Sequence, residues 1–286
     1  MLLWIVVAVA AVAAAVLAWG LFEAQWVDLV ERDLPVRGLH PDLDGLRVLH
    51  ISDFHLGTLS LNGRALRKAV DWATRHDLDL VAVTGDLVSR RRGVRTLTHE
   101  LGRLHPRHGI FAILGNHDIA STRDPFSRPA DLTELREATL LEHRSETVRI
   151  GDRTVQVAGG DPARFQEPHG PLVDPDADFR ILLGHFPDVV KWLLPGEFHV
   201  ILVGHLHGGQ ICVPTPRGKI RLEHLRAAYW EGVFELPVGT LHVSRGLGTS
   251  FVPFRFFARP EATLLVLRAE SPRVDSQREW LTASRR

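Results

Sequence analysis

Apolar residues in this chain fall into one long block followed by a series of short runs. From Leu2 to Phe22 there is no charge, and Gly20 alone interrupts the 21 residues. Beyond it the apolar runs shorten to Leu46–Ser52, Leu80–Thr84, Phe111–Leu114, Phe179–Leu183 and His199–Val203. Each has the length of a strand buried on both faces. Between the first three runs, Arg64–His76 sets Leu66, Val70, Trp72 and Ala73 at helical spacing, and Val94–Leu104 reads as a second helix. The order β-α-β-α-β predicts a parallel sheet covered on both sides.

The grain then changes. Ile119–Glu146 is a longer excursion with Pro125 and Pro129, and a helix is predicted from Ala130 to Ala138. Thr147–Ile150 and Thr154–Ala158 flank Gly151-Asp152, a hairpin signal. Pro187–Leu194 is predicted helical, and later short runs at Gly232–Leu236, Thr240–Ser244 and Ala262–Leu267 read as strands. Two sheets follow, an early one flanked by helices and a late one richer in hairpins. The polar stretch from Gln25 to Asp44, with Pro35 and Pro41, reads as a juxtamembrane strand or linker. The predicted organisation is an anchor at 1–22, that linker or strand at 23–44, one domain at 45–268 and a polar tail or terminal helix at 269–286.

Composition narrows the classes. At 286 residues with 45% apolar content the chain can bury a full core. Its formal charge is zero, so bulk electrostatics give no reason to expect a nucleic-acid partner. The single Cys212 excludes an intrachain disulfide and a thiolate cluster. Leu2–Phe22 meets the roughly 20 residues a membrane-spanning helix needs. A cleaved signal peptide, cut after Val16-Leu17-Ala18, is the rival reading. The run lacks a basic leader and exceeds the roughly 7–15 residues of a signal core, which favours an uncleaved single-pass anchor. Arg32 and Arg37 follow the span while nothing basic precedes it, tipping the domain toward the cytoplasmic side.

The chemistry sits where the strands end. Leu46–Ser52 runs into Asp53-Phe54-His55, and Leu80–Thr84 into Gly85-Asp86. Phe111–Leu114 meets Gly115-Asn116-His117-Asp118, Phe179–Leu183 meets Gly184-His185, and His199–Val203 meets Gly204-His205-Leu206-His207. Asp-x-His and His-x-His put two donors on one side of an extended backbone. Two aspartates, one asparagine and four histidines form a hard-to-borderline donor pool, suited to Mn, Fe or Zn. Seven positions with one shared carboxylate fit two divalent ions, and two such ions clamp a displacement at phosphorus. Two aspartates leave part of that positive charge uncompensated, which attracts an anionic phosphate.

Taken together these motifs resemble the calcineurin-like metallophosphoesterase superfamily. The resemblance implies a four-layer α/β-β/α sandwich beside the N-terminal transmembrane helix. It implies one metal on Asp53, His55, Asp86 and His207, and another on Asp86, Asn116, His185 and His205. It makes His117 the acid at the leaving group, oriented by Asp118. Gly204-His-Leu-His-Gly-Gly-Gln and the late Val243–Ser250 and Pro253–Glu261 text are most similar to bacterial membrane-associated phosphodiesterases of the YkuE/YaeI type. The expected substrate is a phosphate ester, with phospholipids and lipid-linked head groups among the candidates. A phosphomonoesterase and a metal-free scaffold of the same fold are the alternatives. Arg90 aligns with a phosphate-contacting arginine of the protein phosphatase branch. Arg255 is expected either to position a phosphate or head group or to pair with a carboxylate such as Glu261.

Overall fold

The structure is a computed structural model, and it describes residues 1–128, 131–133, 135–169, 172–216, 218–223 and 225–270. Helix α1 (Leu2–Glu23) is followed by strand β1 (Asp28–Val36) and strand β2 (Arg47–Ile51). Then come α2 (Asn62–Ala73), β3 (Leu80–Thr84), α3 (Val94–Leu101), β4 (Ile110–Ile113) and the short β5 (Thr139–Leu140). The second half adds β6 (Ser145–Ile150), β7 (Arg153–Gly159), β8 (Phe179–Leu183), β9 (Val200–Val203), β10 (Cys212–Thr215) and β11 (Gly218–Arg221). Strands β12 (Gly232–Leu236), β13 (Gly239–Val243) and β14 (Glu261–Ala269) complete the order.

Two six-stranded sheets result, ordered β1-β14-β2-β3-β4-β5 and β12-β13-β9-β8-β7-β6. Strands β2 to β5 are parallel, as are β7, β8, β9 and β13. Side-chain alternation builds the layers. Leu80 and Ala82 face Phe179, Ile181, Val200 and Leu202 across the space between the sheets. Val81 and Val83 point outward under α2 and α3, with Leu66, Val70 and Leu97. Leu182, Ile201 and Val203 face out from the second sheet onto Val189 and Leu193. The stacked sheets with outer layers on each side form the predicted α/β sandwich.

The departures have local causes. Strand β14, expected in the late sheet, instead inserts between β1 and β2 of the early one, antiparallel to β2. The polar stretch after α1 supplies β1, an edge strand parallel to β14, where Pro35 is tolerated because it has no N–H to leave unpaired. The segment after Phe186 forms a 3-10 helix over Pro187–Trp192 rather than an α-helix to Leu194. Pro195 disfavours helical backbone at Leu194, so the helix stops short of it. No helix forms at Asp131–Thr133 or 135–138; Ala130 and Glu134 lie outside the described residues. There the Asp131 carboxylate accepts from Thr133 N at 3.0 Å and Oγ1 at 2.6 Å. This local bond competes with helix formation. The tail expected from Ser271 also lies outside the described residues.

Helix α1 stands away from the domain, with no part of its apolar window buried. Its 22 residues span about 33 Å at 1.5 Å each, enough for a hydrocarbon core of about 30 Å. Only its last turn docks. Arg255 N donates to Gly20 O at 3.1 Å, and Ala258 N to Glu23 Oε1 at 2.9 Å.

Candidate metal centre

The carboxyl ends of β2, β3 and β4 in one sheet and β8 and β9 in the other converge on one site. His185 Nδ1 lies 2.9 Å from Thr84 O, joining the β3 and β8 ends. Glycines at these ends permit the approach. A Cβ on Gly115 would fall within the Asp86 carboxylate, and one on Gly204 would collide with Ser52 and Asp53. Asp53, His55, Asp86, His205 and His207 all adopt positive φ, between 45° and 76°. Non-glycine residues rarely hold that conformation, and its cost clusters at sites of function.

The donor atoms form two groups that share Asp86. Asp53, His55, Asp86 and His207 offer ligand atoms within 4.8 Å of one another, as do Asp86, His185 and His205. In the first group His55 Nε2 lies 3.1 Å from His207 Nε2 and 3.4 Å from Asp86 Oδ2. In the second, His185 Nε2 lies 3.4 Å from Asp86 Oδ2, 3.3 Å from His205 Nδ1 and 2.9 Å from Asn116 Oδ1. Donors bound to one ion at about 2.1 Å stand roughly 3.0–3.4 Å apart, so this spacing fits resident divalent metals. Electrostatics agree. Burial, with the neighbouring Asp86 charge, pushes Asp53 up to about 7. Burial works against the His185 cation, yet Asp86 and Asp53 outweigh it and raise His185 to about 9. Burial also opposes the Asp86 charge, and the histidines His185 and His55 overcome it, holding this carboxyl well below its ordinary range. The cluster calls for positive charge.

Supporting contacts fix the histidine rings. Ser89 Oγ lies 3.1 Å from His55 Nδ1, and His117 N donates to Asp86 Oδ1 at 2.8 Å. Such outer partners hold metal ligands in orientation. His117 stands at the rim, its Nε2 4.0 Å from Asp86 Oδ2 and 3.2 Å from Thr122 Oγ1. Its Nδ1 lies 3.0 Å from Ser127 Oγ and 3.7 Å from Asp124 Oδ2.

Two expectations are corrected here. Asp118 does not face His117. Its carboxylate accepts from the backbone N–H groups of Leu87, Val88 and Gly115 at 3.1, 3.0 and 2.8 Å. It therefore clamps the turn after Gly85-Asp86, and Asp124 with Ser127 stands behind the imidazole instead. Arg255 touches neither solvent nor Glu261. It is fully buried, and its guanidinium donates to the carbonyls of Gly248, His207, Ala258, Arg245 and Gly246. Glu261 pairs with Arg245. Arg90 lines a cleft of about 820 Å³ that reaches Asp124, and its Nε donates to Phe126 O at 2.7 Å. Asp124, Ser127 and Ser89 had no flanking signal in the sequence, since each acts on a histidine several to many positions away that only the fold brings near.

A family model described as calcineurin-like phosphoesterase matches residues 46–209. The chain belongs to that family. Its members are metallophosphoesterases that use divalent metals on phosphate esters, which makes this chain a metal-dependent phosphoric ester hydrolase. Bacillus subtilis YkuE, an uncharacterised metallophosphoesterase, is 26% identical over 86% of this chain and 87% of its own length. A UDP-2,3-diacylglucosamine pyrophosphatase, LpxG of Chlamydia trachomatis, is 29% identical over 82% of this chain and 86% of its own. A transmembrane protein with a metallophosphoesterase domain from Danio rerio is 29% identical over 86% of this chain and 58% of its own length.

Proposed function

We propose that this protein is a membrane-anchored, two-metal phosphoesterase that hydrolyses phosphodiester bonds. The observation that carries the reading is the pair of buried donor groups sharing Asp86. On this reading Asp53, His55, Asp86 and His207 hold one ion, and Asp86, Asn116, His185 and His205 hold the other. The donor pool suits Mn, Fe or Zn. When bound, the metal pair supplies Lewis acidity and an acidified water for displacement at phosphorus.

The remaining work belongs to the protein. His117 borders the shared carboxylate and delivers a proton to the departing oxygen. Asp124 and Ser127 behind Nδ1 keep the ring turned, and the Asp124 charge favours its charged form. Burial lowers the His117 pKa, and Asp86 and Asp124 act against that fall. Asp118 keeps the Asp86 turn in place through its three backbone contacts. The cleft beside Asp124 leaves room for the second substituent of a diester.

Residues 1–22 form the anchor, 23–44 lead into the domain and supply its edge strand β1, the rest of the domain spans 45–268, and Arg32 and Arg37 favour a cytoplasmic placement. A lipid-linked phosphate ester falls within this reading. LpxG is named for UDP-2,3-diacylglucosamine, and the zebrafish relative is named as a transmembrane protein.

The test joins metal analysis to turnover of a bis-nitrophenyl phosphodiester by the full chain reconstituted with Mn, Fe or Zn. The expected result is two ions per chain and metal-dependent hydrolysis. Asp86→Asn should lose metal and about 10²-fold or more in kcat/KM. His105→Ala, outside the strand-end motifs, should change neither. Equal effects of the two substitutions would sink the assignment.

A further inference from the structure

Beside His117 lies a cleft of about 820 Å³, within the roughly 300–1,000 Å³ typical of ligand sites. Two residues tie it to the donor cluster. Asp124 lines it while standing 3.7 Å from His117 Nδ1, and Phe251 lines it with its ring 6.4 Å from the His117 ring. Its walls are of two kinds. Leu59, Phe126, Phe251, Val252 and Pro253 make an apolar side, and Leu59 is 93% exposed. Arg90, Arg91, Arg92 and Arg128 make the other. Arg91 lies near Asp131, but Arg90, Arg92 and Arg128 meet only backbone carbonyls among the described residues. A cleft that pairs exposed hydrocarbon with uncompensated cations matches an amphiphile with an anionic head.

The position of α1 says where that amphiphile comes from. Pro253 in the cleft wall stands two residues before Arg255, whose N–H holds Gly20 O at the base of α1. Two extended residues cover about 7 Å. Trp19, Phe22 and Trp26 cluster at this end of the helix, with ring centroids 5.6 Å apart in each successive pair. Arg259 lies over the Trp26 ring at 4.6 Å. Aromatic residues with a cation mark the water boundary of a spanning helix. One loop, 249–258, therefore carries the cleft wall at one end and the membrane boundary at the other.

We infer that the cleft seats the acyl chain of a membrane-resident phosphate ester against Leu59, Phe126 and Phe251–Pro253, with Arg90, Arg92 and Arg128 holding its anionic head beside His117. The inference rests on the phosphoesterase reading above and gives it a substrate class. The lipid reaches the donor cluster from the bilayer edge, through a mouth held there by the docking of α1.

Two measurements on the full chain in nanodiscs test this. The first uses water-soluble phosphodiesters carrying butyl, hexyl and octyl chains, below their aggregation limits. Each methylene moved from water to the cleft is worth up to about fourfold in kcat/KM, so a rise of at least tenfold from butyl to octyl is expected. Leu59→Glu combined with Val252→Glu should flatten that rise. A flat wild-type series overturns the inference. The second needs no turnover. A photoreactive phosphatidic acid with a diazirine in its tail, incorporated beside the metal-free protein, should label Leu59, Phe126 and Phe251–Pro253. The matching diacylglycerol should label them several-fold less, and Arg90→Gln with Arg128→Gln should erase that preference. Equal labelling by the two lipids, or labelling confined to residues 2–26, overturns the seat and leaves this face merely resting on the bilayer. Selective labelling without hydrolysis of any ester upholds the seat and removes the enzymatic reading instead.

Discussion

Replacing Arg255 by methionine separates two physical roles for this arginine. The structure spends its guanidinium on five backbone carbonyls, those of Gly248, His207, Ala258, Arg245 and Gly246. A buried carbonyl stripped of its donor costs about 1–3 kcal/mol. Five at the lower bound would cost ~5 kcal/mol, and relaxation of the loop or entry of water would recover part of it. The expected destabilisation is about 3–5 kcal/mol, similar to the loss when one member of a buried charged network is removed. For a domain of this size 1 kcal/mol moves Tm by about 2–4 °C, so a fall of roughly 6–20 °C follows. The damage reaches the site because one of the five carbonyls belongs to His207, whose φ of 50° needs outside support. In Arg255→Met the metal content and kcat should fall together, while KM changes little. Arg255→Lys keeps the charge but not the fork, and should recover only part of the loss. Thermal scanning of the metal-loaded protein and steady-state kinetics on one soluble diester decide the matter. A Tm within ~2 °C of wild type, with KM raised tenfold at unchanged kcat, would mean that Arg255 meets substrate and that the buried arrangement is wrong.

His117→Ala should lose about 10²–10⁴-fold in kcat/KM on an alkyl phosphodiester and far less on a bis-nitrophenyl ester, since a nitrophenolate leaves without a proton. Metal analysis should still find both ions, and an equal loss on the two esters would remove His117 from the acid's role. Acid should also weaken the fold through His50 and His242, whose Nδ1 atoms lie 2.7 Å apart in the core. Burial lowers His242 from its ordinary 6.5 to about 4, so its stabilising contribution is complete above pH 6.5 and lost as pH falls toward 4. That loss is about 3 kcal/mol by linkage, read by denaturant unfolding of chelated protein at pH 7 and pH 4.5. A His50→Gln, His242→Gln variant should show a smaller pH dependence, and an unchanged dependence would place the acid-labile groups elsewhere.

Much of this protein was written in short-range patterns. The runs at Leu80–Thr84 and Phe179–Leu183 are strands over those same residues, because a five-residue, largely apolar run bounded by polar text has the length of a strand and is too short for a core helix. The hairpin at Gly151-Asp152 follows from residues that accept the turn. The donor types at the strand ends were equally visible, since Asp, Asn and His after an apolar run declare their chemistry whatever the fold. Even the glycines before Asp86, Asn116, His185 and His205 carried information, although their reason appears only where chains meet.

Tertiary structure decided everything that depends on distant partners. Nothing local to Ala262–Leu267 says that this strand crosses back to lie beside β2, because pairing is a choice among edges and not a property of a segment. Nothing local to Asp118 says that its oxygens are taken by Leu87 and Val88, thirty residues away, while Asp124 approaches His117. Arg255 has the composition of a binding residue and the surroundings of a core one. A side chain's role follows from what its atoms meet, and the sequence states the atoms alone. The seven candidate donors are separated by up to 154 positions, and they are brought together only because two sheets stack with their carboxyl ends together. Spacing along the chain selects backbone conformation; stacking of the sheets selects which strand ends become neighbours.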